Sequence, residues 1–329
     1  MKTATVLDVV TVGEAMALFM AKQAGALSQV HDFNRATAGA ELNVAVGLSR
    51  LGLRVGYVSR VGADSFGEHL LDFMDAQGID RSHVRIDLEH PTGFMLKSRE
   101  LDGCDPRIEY FRSNSAASHL CAADNPTAYC ATSRHLHLTG ISAALASGVN
   151  ELVTEMAIQA RLEKRSVSFD PNLRPRLWAS QKEMVACMNR LAACSDLVLP
   201  GLAEGQLLTG EKTAQGIADF YLAQGASQVV IKLGADGAYV ASQDGCATVP
   251  GVTVSKIVDT VGAGDGFAVG VISALLEGMS LHEAAQRGNA IGARVLQFPG
   301  DCDGLPDRAQ MTEFMEREKN SLDQASVPP

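Results

Sequence analysis

Short runs of β-branched and other apolar residues alternate along the chain with longer stretches whose apolar positions recur at helical spacing. The short runs predict strands at Val6–Val12, Val55–Val61, His135–Thr139, Ser166–Asp170, Leu197–Pro200 and Gln228–Leu233. The longer stretches predict helices at Ala40–Leu51, Gly67–Gln77, Val149–Lys164, Gln181–Cys194, Thr213–Gln224 and Gly264–Glu277. This alternation predicts an α/β fold, with helices on both faces of a mostly parallel sheet. Ligands bind beyond the carboxyl ends of such strands, so the strand-to-helix turns are where a site is expected.

Two further stretches, Ala15–Arg35 and Thr92–Arg112, lack the helical period and alternate apolar and polar positions as strands do. They predict a small β-sheet that projects from the main domain as a lid. We expect residues 1–319 to form one α/β domain that carries this lid. The polar segment 320–329, which ends in two prolines, is predicted to be disordered.

The composition of the 329 residues, 46% hydrophobic and 20% charged, is that of an ordinary globular protein. A net charge of −10 without a basic cluster argues against nucleic acid or an anionic membrane as a partner. The longest uncharged apolar run, Gly266–Leu276, is far shorter than the about 20 residues that a membrane-spanning helix needs. Asp8 interrupts the N-terminal apolar residues before a signal sequence can form, and the seven cysteines include no CxxC pair. We therefore expect a cytoplasmic protein with free thiols.

A glycine-rich turn, Asp259–Phe267, lies between an apolar segment and a predicted long helix. The small residues Gly262–Gly264 let backbone N–H groups approach an anion closely, and the dipole of the following helix attracts the same anion. A dinucleotide fingerprint would need a third glycine where Phe267 stands, and Asp265 would repel its pyrophosphate. A P-loop is excluded as well, because the glycine-spaced segment Gly62–Gly67 is not followed by Lys and Ser or Thr.

The carboxylate of Asp265 suggests a different use for this turn. A carboxylate beside an anion hole can accept a proton from a substrate hydroxyl while backbone amides stabilise a transferring phosphoryl group. The alternative is structural, a tight strand-to-helix turn in which the Asp caps the helix. The spacing alone leaves both interpretations open.

Two long segments resemble the signatures of the ribokinase-like (PfkB) sugar kinases. Residues Ala38–Gly52 (AGAELNVAVGLSRLG) resemble the N-terminal signature, and Asp259–Phe267 (DTVGAGDGF) resembles the C-terminal one. Between them, Lys232–Ala238 (KLGADGA) is similar to the strand and turn on the family's nucleotide side. The resemblance covers residues 5–310 in the family's order, and two long signatures are far more specific than a single glycine motif.

The resemblance implies a Rossmann-like α/β domain (the ribokinase-like fold) with a small β-sheet lid, and a requirement for ATP and Mg²⁺. It implies a catalytic base at Asp265 and an anion hole formed by Gly262, Ala263 and Gly264. It implies sugar contacts at Gly39 and Asn43, and nucleotide contacts at Asn172, Lys232, Gly234, Gly237 and Asn289. Glu204 matches a position near the metal, where the family's Asn-x-x-Glu pattern is here Gly-Leu-Ala-Glu.

Other segments are similar to one branch of that family, the kinases of 2-keto-3-deoxygluconate, whose substrate is a sugar acid. They include Tyr110–Arg112 (YFR) and Asp170–Arg174 (DPNLR). A substrate carboxylate is best held by a planar guanidinium, so Arg112 and Arg174 are candidate contacts. The alternatives are a solvated lid charge for Arg112 and a pair with Asp170 for Arg174.

Two more lid residues bear on the substrate. Tyr110 either contacts the sugar or packs within the lid. Met95 stands where this branch of the family tends to have a tyrosine, which affects the choice of sugar.

The sequence therefore predicts an ATP-dependent kinase of a sugar acid, most simply 2-keto-3-deoxygluconate phosphorylated to its 6-phosphate. A kinase of fructose, ribose or 5-dehydro-2-deoxygluconate is the alternative within the same class. A non-catalytic sugar or nucleotide sensor and a dinucleotide oxidoreductase are the alternatives outside it. The exposed edge of a small lid sheet also favours a homodimer or larger assembly.

Overall fold

The computed structural model describes residues 6–100 and 105–325, of which 317–325 are described as backbone only. The predicted lid includes residues 101–104, which lie outside the described residues. The last helix runs to Ala325, so the tail predicted to be disordered from residue 320 is helical up to that point, and 326–329 lie outside the described residues.

The strands in the described part of the chain are β1 (Leu7–Val12), β2 (Met16–Ala24), β3 (Phe33–Ala38), β4 (Val55–Gly62), β5 (Asp80–Asp87), β6 (Phe94–Arg99), β7 (Ile108–Phe111), β8 (Ser133–Thr139), β9 (Ser166–Asp170), β10 (Leu197–Val198), β11 (Gln228–Lys232), β12 (Ala238–Ser242) and β13 (Gly245–Val249). The helices are α1 (Ala40–Arg50), α2 (Ser65–Ala76), α3 (Thr127–Cys130), α4 (Gly140–Leu145), α5 (Ser147–Leu162), α6 (Gln181–Ala193), α7 (Leu202–Thr209), α8 (Ala214–Ala223), α9 (Ala263–Leu276), α10 (Leu281–Val295) and α11 (Arg308–Ala325). Each predicted strand and helix is found within two residues at either end.

Nine strands form the main sheet, in the order β13-β12-β11-β10-β9-β8-β1-β4-β5. Every neighbouring pair from β11 to β5 is parallel, whereas β12 and β13 form an antiparallel hairpin at one edge. The predicted mostly parallel α/β sheet is therefore confirmed. Because the parallel strands share one direction, their carboxyl ends meet along a single edge of the sheet.

Helices cover both faces of the main sheet because the central strands are apolar on both sides. On β1, Val9 packs into one hydrophobic cluster with α1, α2, α9 and α10. The next residue, Val10, packs into a second cluster on the opposite face with α5, α6 and α8. This is the burial expected of a central parallel strand. Within the described residues, no helix combines the length and the apolar character needed to cross a membrane.

The predicted lid is a separate four-stranded sheet in the order β3-β2-β6-β7. Its two outer pairs are antiparallel and its central pair, β2 with β6, is parallel. A small apolar cluster that includes Met16, Leu18, Ala38 and Met95 fills the sheet's inner side. Since β3 leads directly into α1, the lid is anchored at the edge of the main sheet where a ligand is expected.

Candidate active site

A cleft of about 390 Å³ lies between the small sheet and the carboxyl edge of the main sheet. Strand β9 ends in this cleft at Asp170 and β11 ends there at Lys232, while Glu14 follows the end of β1. The predicted site residues that line the cleft are Gly39, Asn43, Tyr110, Arg112, Asn172, Arg174, Glu204, Lys232, Gly262, Gly264 and Asp265. The fold therefore brings together residues from both ends of the chain, as the two family-like signatures require.

The turn before α9 has the geometry of an anion hole. Gly262 is the N-cap residue with a φ of +84°, and a Cβ there would lie 2.6 Å from the carbonyl oxygen of Asp301, so only glycine fits. The first intrahelical hydrogen bond is donated by Gly266, so the N–H groups of Ala263 and Gly264 precede it. These N–H groups and the positive end of the helix dipole are what an anion would meet at this end of the cleft.

Asp265, in the first turn of α9, is only 8% exposed. Its Oδ2 accepts a hydrogen bond of 2.7 Å from Asn43, and its Oδ1 accepts one of 3.4 Å from Asn172. Burial raises the pKa of Asp265 to about 7, and the hydrogen bond from Asn43 opposes this rise. Within the described residues, the hydrogen bonds of this carboxylate come from side-chain amides, so the capping alternative does not describe the structure.

Asn43 and Gly39 were both expected to contact a sugar. Both line the cleft, but the amide of Asn43 donates to Asp265 and its Oδ1 accepts a hydrogen bond of 3.0 Å from the Cys302 thiol. The observed contacts of Asn43 therefore orient the acidic residue. Gly39 has a φ of +137°, and a Cβ there would lie 2.4 Å from the carbonyl oxygen of Glu14. Only glycine therefore fits at this position in the lining of the cleft.

Lys232 reaches the cleft from the end of β11. Its Nζ forms an ion pair of 2.7 Å with Oδ2 of Asp170. Burial alone would lower the pKa of Lys232, but the carboxylates of Asp170 and Glu204 outweigh it and raise the pKa. A Cβ placed on Gly264 would lie 3.7 Å from this Nζ, so a fixed positive charge stands beside the anion hole.

The two arginines predicted to hold a carboxylate differ in their surroundings. Arg112 is not a solvated lid charge: its Nη2 forms an ion pair of 2.5 Å with Oε2 of the buried Glu14, and its side chain is 10% exposed. Arg174 does not pair with Asp170. It is exposed, its Nη1 donates to the carbonyl of Leu173 at 2.9 Å, and among the described residues it pairs with no carboxylate.

The aromatic ring of Tyr110 lies beneath the Arg112 guanidinium, with 5.7 Å between its centroid and the Arg112 Cζ. Tyr110 is 44% exposed and lines the cleft, so it is not simply a packed lid residue. Met95, by contrast, is only 3% exposed and contributes an apolar wall to the same cleft. The lid side of the cleft is therefore part aromatic and part aliphatic.

Glu204, predicted to lie near a metal, has both carboxylate oxygens engaged. Oε1 accepts a hydrogen bond of 2.7 Å from the N–H of Leu173, and Oε2 accepts one of 2.7 Å from the N–H of Gly201. Among the described residues, no group of three or more His, Cys, Asp or Glu side chains is arranged to hold a metal ion. A Mg²⁺ ion here would therefore take most of its ligands from phosphate oxygens and water, as Mg²⁺ commonly does.

The other predicted nucleotide contacts do not line this cleft but gather beside the β12–β13 hairpin. A Cβ on Gly237 would lie 2.1 Å from the carbonyl oxygen of Val249, and the amide of Asn289 donates to that carbonyl and, at 2.8 Å, to that of Pro250. Gly234, with a φ of +65°, has open space where its Cβ would be. Gly234, Gly237 and Asn289 thus lie near the end of β11, beyond Lys232, and we refer to them as the rim of the cleft.

The sequence interpretation did not identify several buried carboxylates that line the cleft, among them Glu14, Glu41 and Asp301. Glu14 accepts a hydrogen bond from Ser115 besides its pair with Arg112. Glu41 accepts hydrogen bonds of 2.5 Å from Thr139 and Ser142. The sequence feature that could have identified both is a single carboxylate among apolar residues: Glu14 follows the apolar strand β1, and Glu41 lies in the largely apolar helix α1. Lys97, a buried lysine in the lid strand β6, was not identified either; it lines a neighbouring cavity.

The family comparison agrees with this geometry. The model of the pfkB family carbohydrate kinases matches residues 6–308. A 2-dehydro-3-deoxygluconokinase from Bacillus subtilis (strain 168) is 49% identical over 314 residues, covering 95% of this chain and 97% of the relative.

Solved structures agree as well. The PfkB protein from Polaromonas sp. JS666 shares 49% identity at a TM-score of 0.87, covering 93% of this chain and 99% of that one. A ribokinase II from E. coli, solved in complex with ATP and Mg²⁺, shares 26% identity at a TM-score of 0.87, covering 94% and 99%. The family model over residues 6–308 and the relative that is 49% identical agree with the sequence signatures and the sheet order, and they show that the chain belongs to the pfkB family of carbohydrate kinases.

Proposed function

We propose that the protein transfers the γ-phosphoryl group of ATP to the 6-hydroxyl of 2-keto-3-deoxygluconate. The observation that carries the proposal is one cleft lined both by a buried carboxylate at a helix N-terminus, Asp265, and by an arginine, Arg174. The carboxylate suits a substrate hydroxyl, and the helix N-terminus suits a phosphoryl group. The arginine suits the carboxylate that distinguishes a sugar acid from a neutral sugar. The 49% identity with a kinase named for this sugar acid supports the same substrate.

In the proposed mechanism, Asp265 accepts the proton of the attacking hydroxyl. Its pKa of about 7 lets it be ionised in the free enzyme near neutral pH and still hold a proton after transfer. The N–H groups of Gly262, Ala263 and Gly264 stabilise the negative charge that develops on the phosphoryl oxygens. Lys232, held by Asp170, adds a positive charge on the same side.

Mg²⁺ bound with ATP supplies charge neutralisation for the phosphates. We propose that Glu204 acts near this ion through water, since its two oxygens already accept backbone hydrogen bonds. The same two hydrogen bonds let Glu204 hold the backbone at Leu173, which follows β9, and at Gly201, which precedes α7. The nucleotide itself is proposed to lie along the rim formed by Gly234, Gly237 and Asn289, with Asn172 and Lys232 between it and the sugar.

The lid side of the cleft is proposed to select the sugar. Arg112 is neutralised by Glu14, so its remaining N–H groups suit sugar oxygens better than a second carboxylate. Arg174 has no such partner among the described residues and is the stronger candidate for the substrate carboxylate. Tyr110 offers a hydroxyl and a ring face to the sugar, whereas Met95 offers only apolar surface.

The test compares Arg174→Ala with Arg176→Ala. Arg176 is a neighbouring exposed arginine that does not line the cleft. Loss of a charged hydrogen-bonding partner, worth about 1.5–3 kcal/mol, predicts that Arg174→Ala raises the KM for 2-keto-3-deoxygluconate about 10- to 100-fold, with the KM for ATP unchanged. Arg176→Ala should behave as the wild type in steady-state kinetics. Equal KM values for the two variants would remove Arg174 from substrate recognition.

We also propose a cytoplasmic protein that assembles as a homodimer or larger. The free cysteines among the described residues, Cys121, Cys130, Cys187, Cys194, Cys246 and Cys302, suit a reducing compartment. Strand β7 is an outer strand of the lid sheet, and its Phe111 is 47% exposed. An exposed apolar edge of this kind favours pairing with a second copy.

A further inference from the structure

Lys97 is a buried lid residue that the proposed chemistry does not use. It lies on β6 with a side chain 3% exposed, and its ammonium pairs with Asp259 and, at 2.9 Å, with Asp301. Its Nζ also donates to the carbonyl of Pro299 at 3.4 Å. Burial alone would lower the pKa of Lys97, but the two carboxylates outweigh it and raise the pKa, so the ammonium stays charged.

Both carboxylate partners hold the anion-hole turn. Asp259 opens the turn, and its Oδ1 accepts a hydrogen bond of 3.0 Å from the N–H of Val261. Asp301 lies against the other side of the turn, where its carbonyl oxygen leaves no room for a Cβ on Gly262. A single ammonium from the lid thus pairs with two buried carboxylates that flank the N-terminus of α9.

A second contact joins the lid to the same turn. The hydroxyl of Thr260 donates to Oδ1 of Asp105 at 2.6 Å. Asp105 follows residues 101–104 in the connection between β6 and β7, so two parts of the lid reach two consecutive residues of the turn. Of the two contacts, only the one at Lys97 is buried and balances charge.

Without the ammonium, Asp259 and Asp301 would face each other as like charges in a buried site. They would separate or take up protons, and either response shifts the turn that they hold. Backbone N–H groups stabilise a transition state only while they point at the position where charge develops, so a small shift is costly.

We propose that Lys97 is a positioning residue: from the lid, it fixes the anion-hole turn in the geometry needed for phosphoryl transfer. Lys97 does not line the cleft, and it acts through Asp259 and Asp301. The inference rests on the proposed transfer at Gly262–Gly264. It adds that the lid contributes to the phosphoryl-transfer step besides covering the sugar.

The decisive variant is Lys97→Ala, because the structure provides a way to restore the missing cation. A second cavity of about 410 Å³ is lined by Lys97, Asp259 and Pro299, so a small amine can reach the vacated position from solvent. We expect kcat to fall at least about tenfold, with smaller changes in the KM for ATP and sugar. Methylammonium should then restore kcat in a saturable manner, whereas tetramethylammonium at equal ionic strength should not.

Two controls separate positioning from general loss of charge or packing. Lys22→Ala removes an exposed lysine that lines the same cavity, and it should leave kcat unchanged with or without amine. Lys97→Arg keeps the charge and should retain kcat within about threefold of the wild type, since the guanidinium can meet the same two carboxylates.

If Lys97→Ala does not fold, the double variant Lys97→Met with Asp301→Asn keeps the net charge of the cluster and removes the tie to the lid. A reduced kcat in this folded variant supports the proposal. Normal kcat in either folded variant, or a loss of kcat in Lys97→Ala that no small amine restores, overturns it. Absence of turnover by the wild type with every sugar would instead overturn the proposed function on which the inference rests.

Discussion

At the scale of single residues, Asp265 carries the proposed chemistry. Asp265→Asn should lower kcat by about 10²- to 10⁴-fold, the usual contribution of a general base, and should leave ATP affinity nearly unchanged. Asp244→Asn, on an exposed turn, is the matched control and should keep wild-type kcat. Retained activity in Asp265→Asn would exclude this carboxylate as the base.

The same residue predicts a pH dependence. Burial raises the pKa of Asp265 to about 7, and only the ionised form accepts a proton. The kcat/KM of the wild type should therefore increase with pH and level off above about 7. A profile already flat from pH 5 upward would mean that the base ionises well below neutrality, in conflict with its burial.

How well single residues could be predicted depended on whether their role is local in sequence. Asp265 and Gly262 lie within one short motif, so their neighbours revealed them. The ion pair of Arg112 could not be predicted from the sequence, because its partner Glu14 follows β1 of the main sheet whereas Arg112 follows β7 of the lid. Lys97 was missed for the same reason: its partners Asp259 and Asp301 lie far from it in sequence, and a lysine in a lid strand looks like a solvated charge.

At the scale of elements, the proposed phosphoryl transfer depends on the turn before α9 and on the first residues of that helix. Gly262→Ala should lower kcat and thermal stability, because the added Cβ meets the Asp301 carbonyl at 2.6 Å and a φ of +84° strains an L-residue. Gly52→Ala shares the backbone strain, with a φ of +86°, but has open space around its Cβ. It should cost about 1–2 kcal/mol of stability and no kcat. Equal kcat in both variants would contradict the anion-hole assignment.

Elements with a strong period were predictable, and elements defined by their surroundings were not. Central strands such as β1 are apolar along their length, and helices such as α1 repeat at helical spacing, so both were predicted closely. Strand β5, by contrast, is polar and partly exposed at the edge of the sheet, and the sequence pattern did not predict it. The lid was predicted because its strands interrupt the helical period, although the parallel pairing of β2 with β6 could not be inferred locally.

At the scale of the whole molecule, the lid edge predicts the assembly. The mass in solution should be at least twice the 34.8 kDa of one chain. Phe111→Lys should reduce this mass toward that of a monomer, because it places a charge on the exposed outer strand β7. Leu162→Lys, on the exposed side of α5, is the control and should leave the mass unchanged. A monomeric wild type by light scattering would contradict the proposed pairing.

The whole-molecule fold was the most predictable feature, and the environments of the cleft residues were the least. Two signatures near opposite ends of the chain fix the family, since together they build one cleft. The proposed contacts to the sugar involve lid residues such as Tyr110 and Met95, whose positions in the cleft follow from how the two sheets meet. No local pattern in the sequence shows how the two sheets are placed relative to each other.

The central claim is tested most directly by ADP release with Mg·ATP across a panel of sugars. The panel contains 2-keto-3-deoxygluconate, 2-ketogluconate and 5-dehydro-2-deoxygluconate as acids, with fructose and ribose as neutral sugars. We predict the highest kcat/KM for 2-keto-3-deoxygluconate and little turnover of the neutral sugars, because only an acid engages the guanidinium of Arg174. Preferred turnover of fructose or ribose would contradict the account, and so would ADP release that no sugar stimulates.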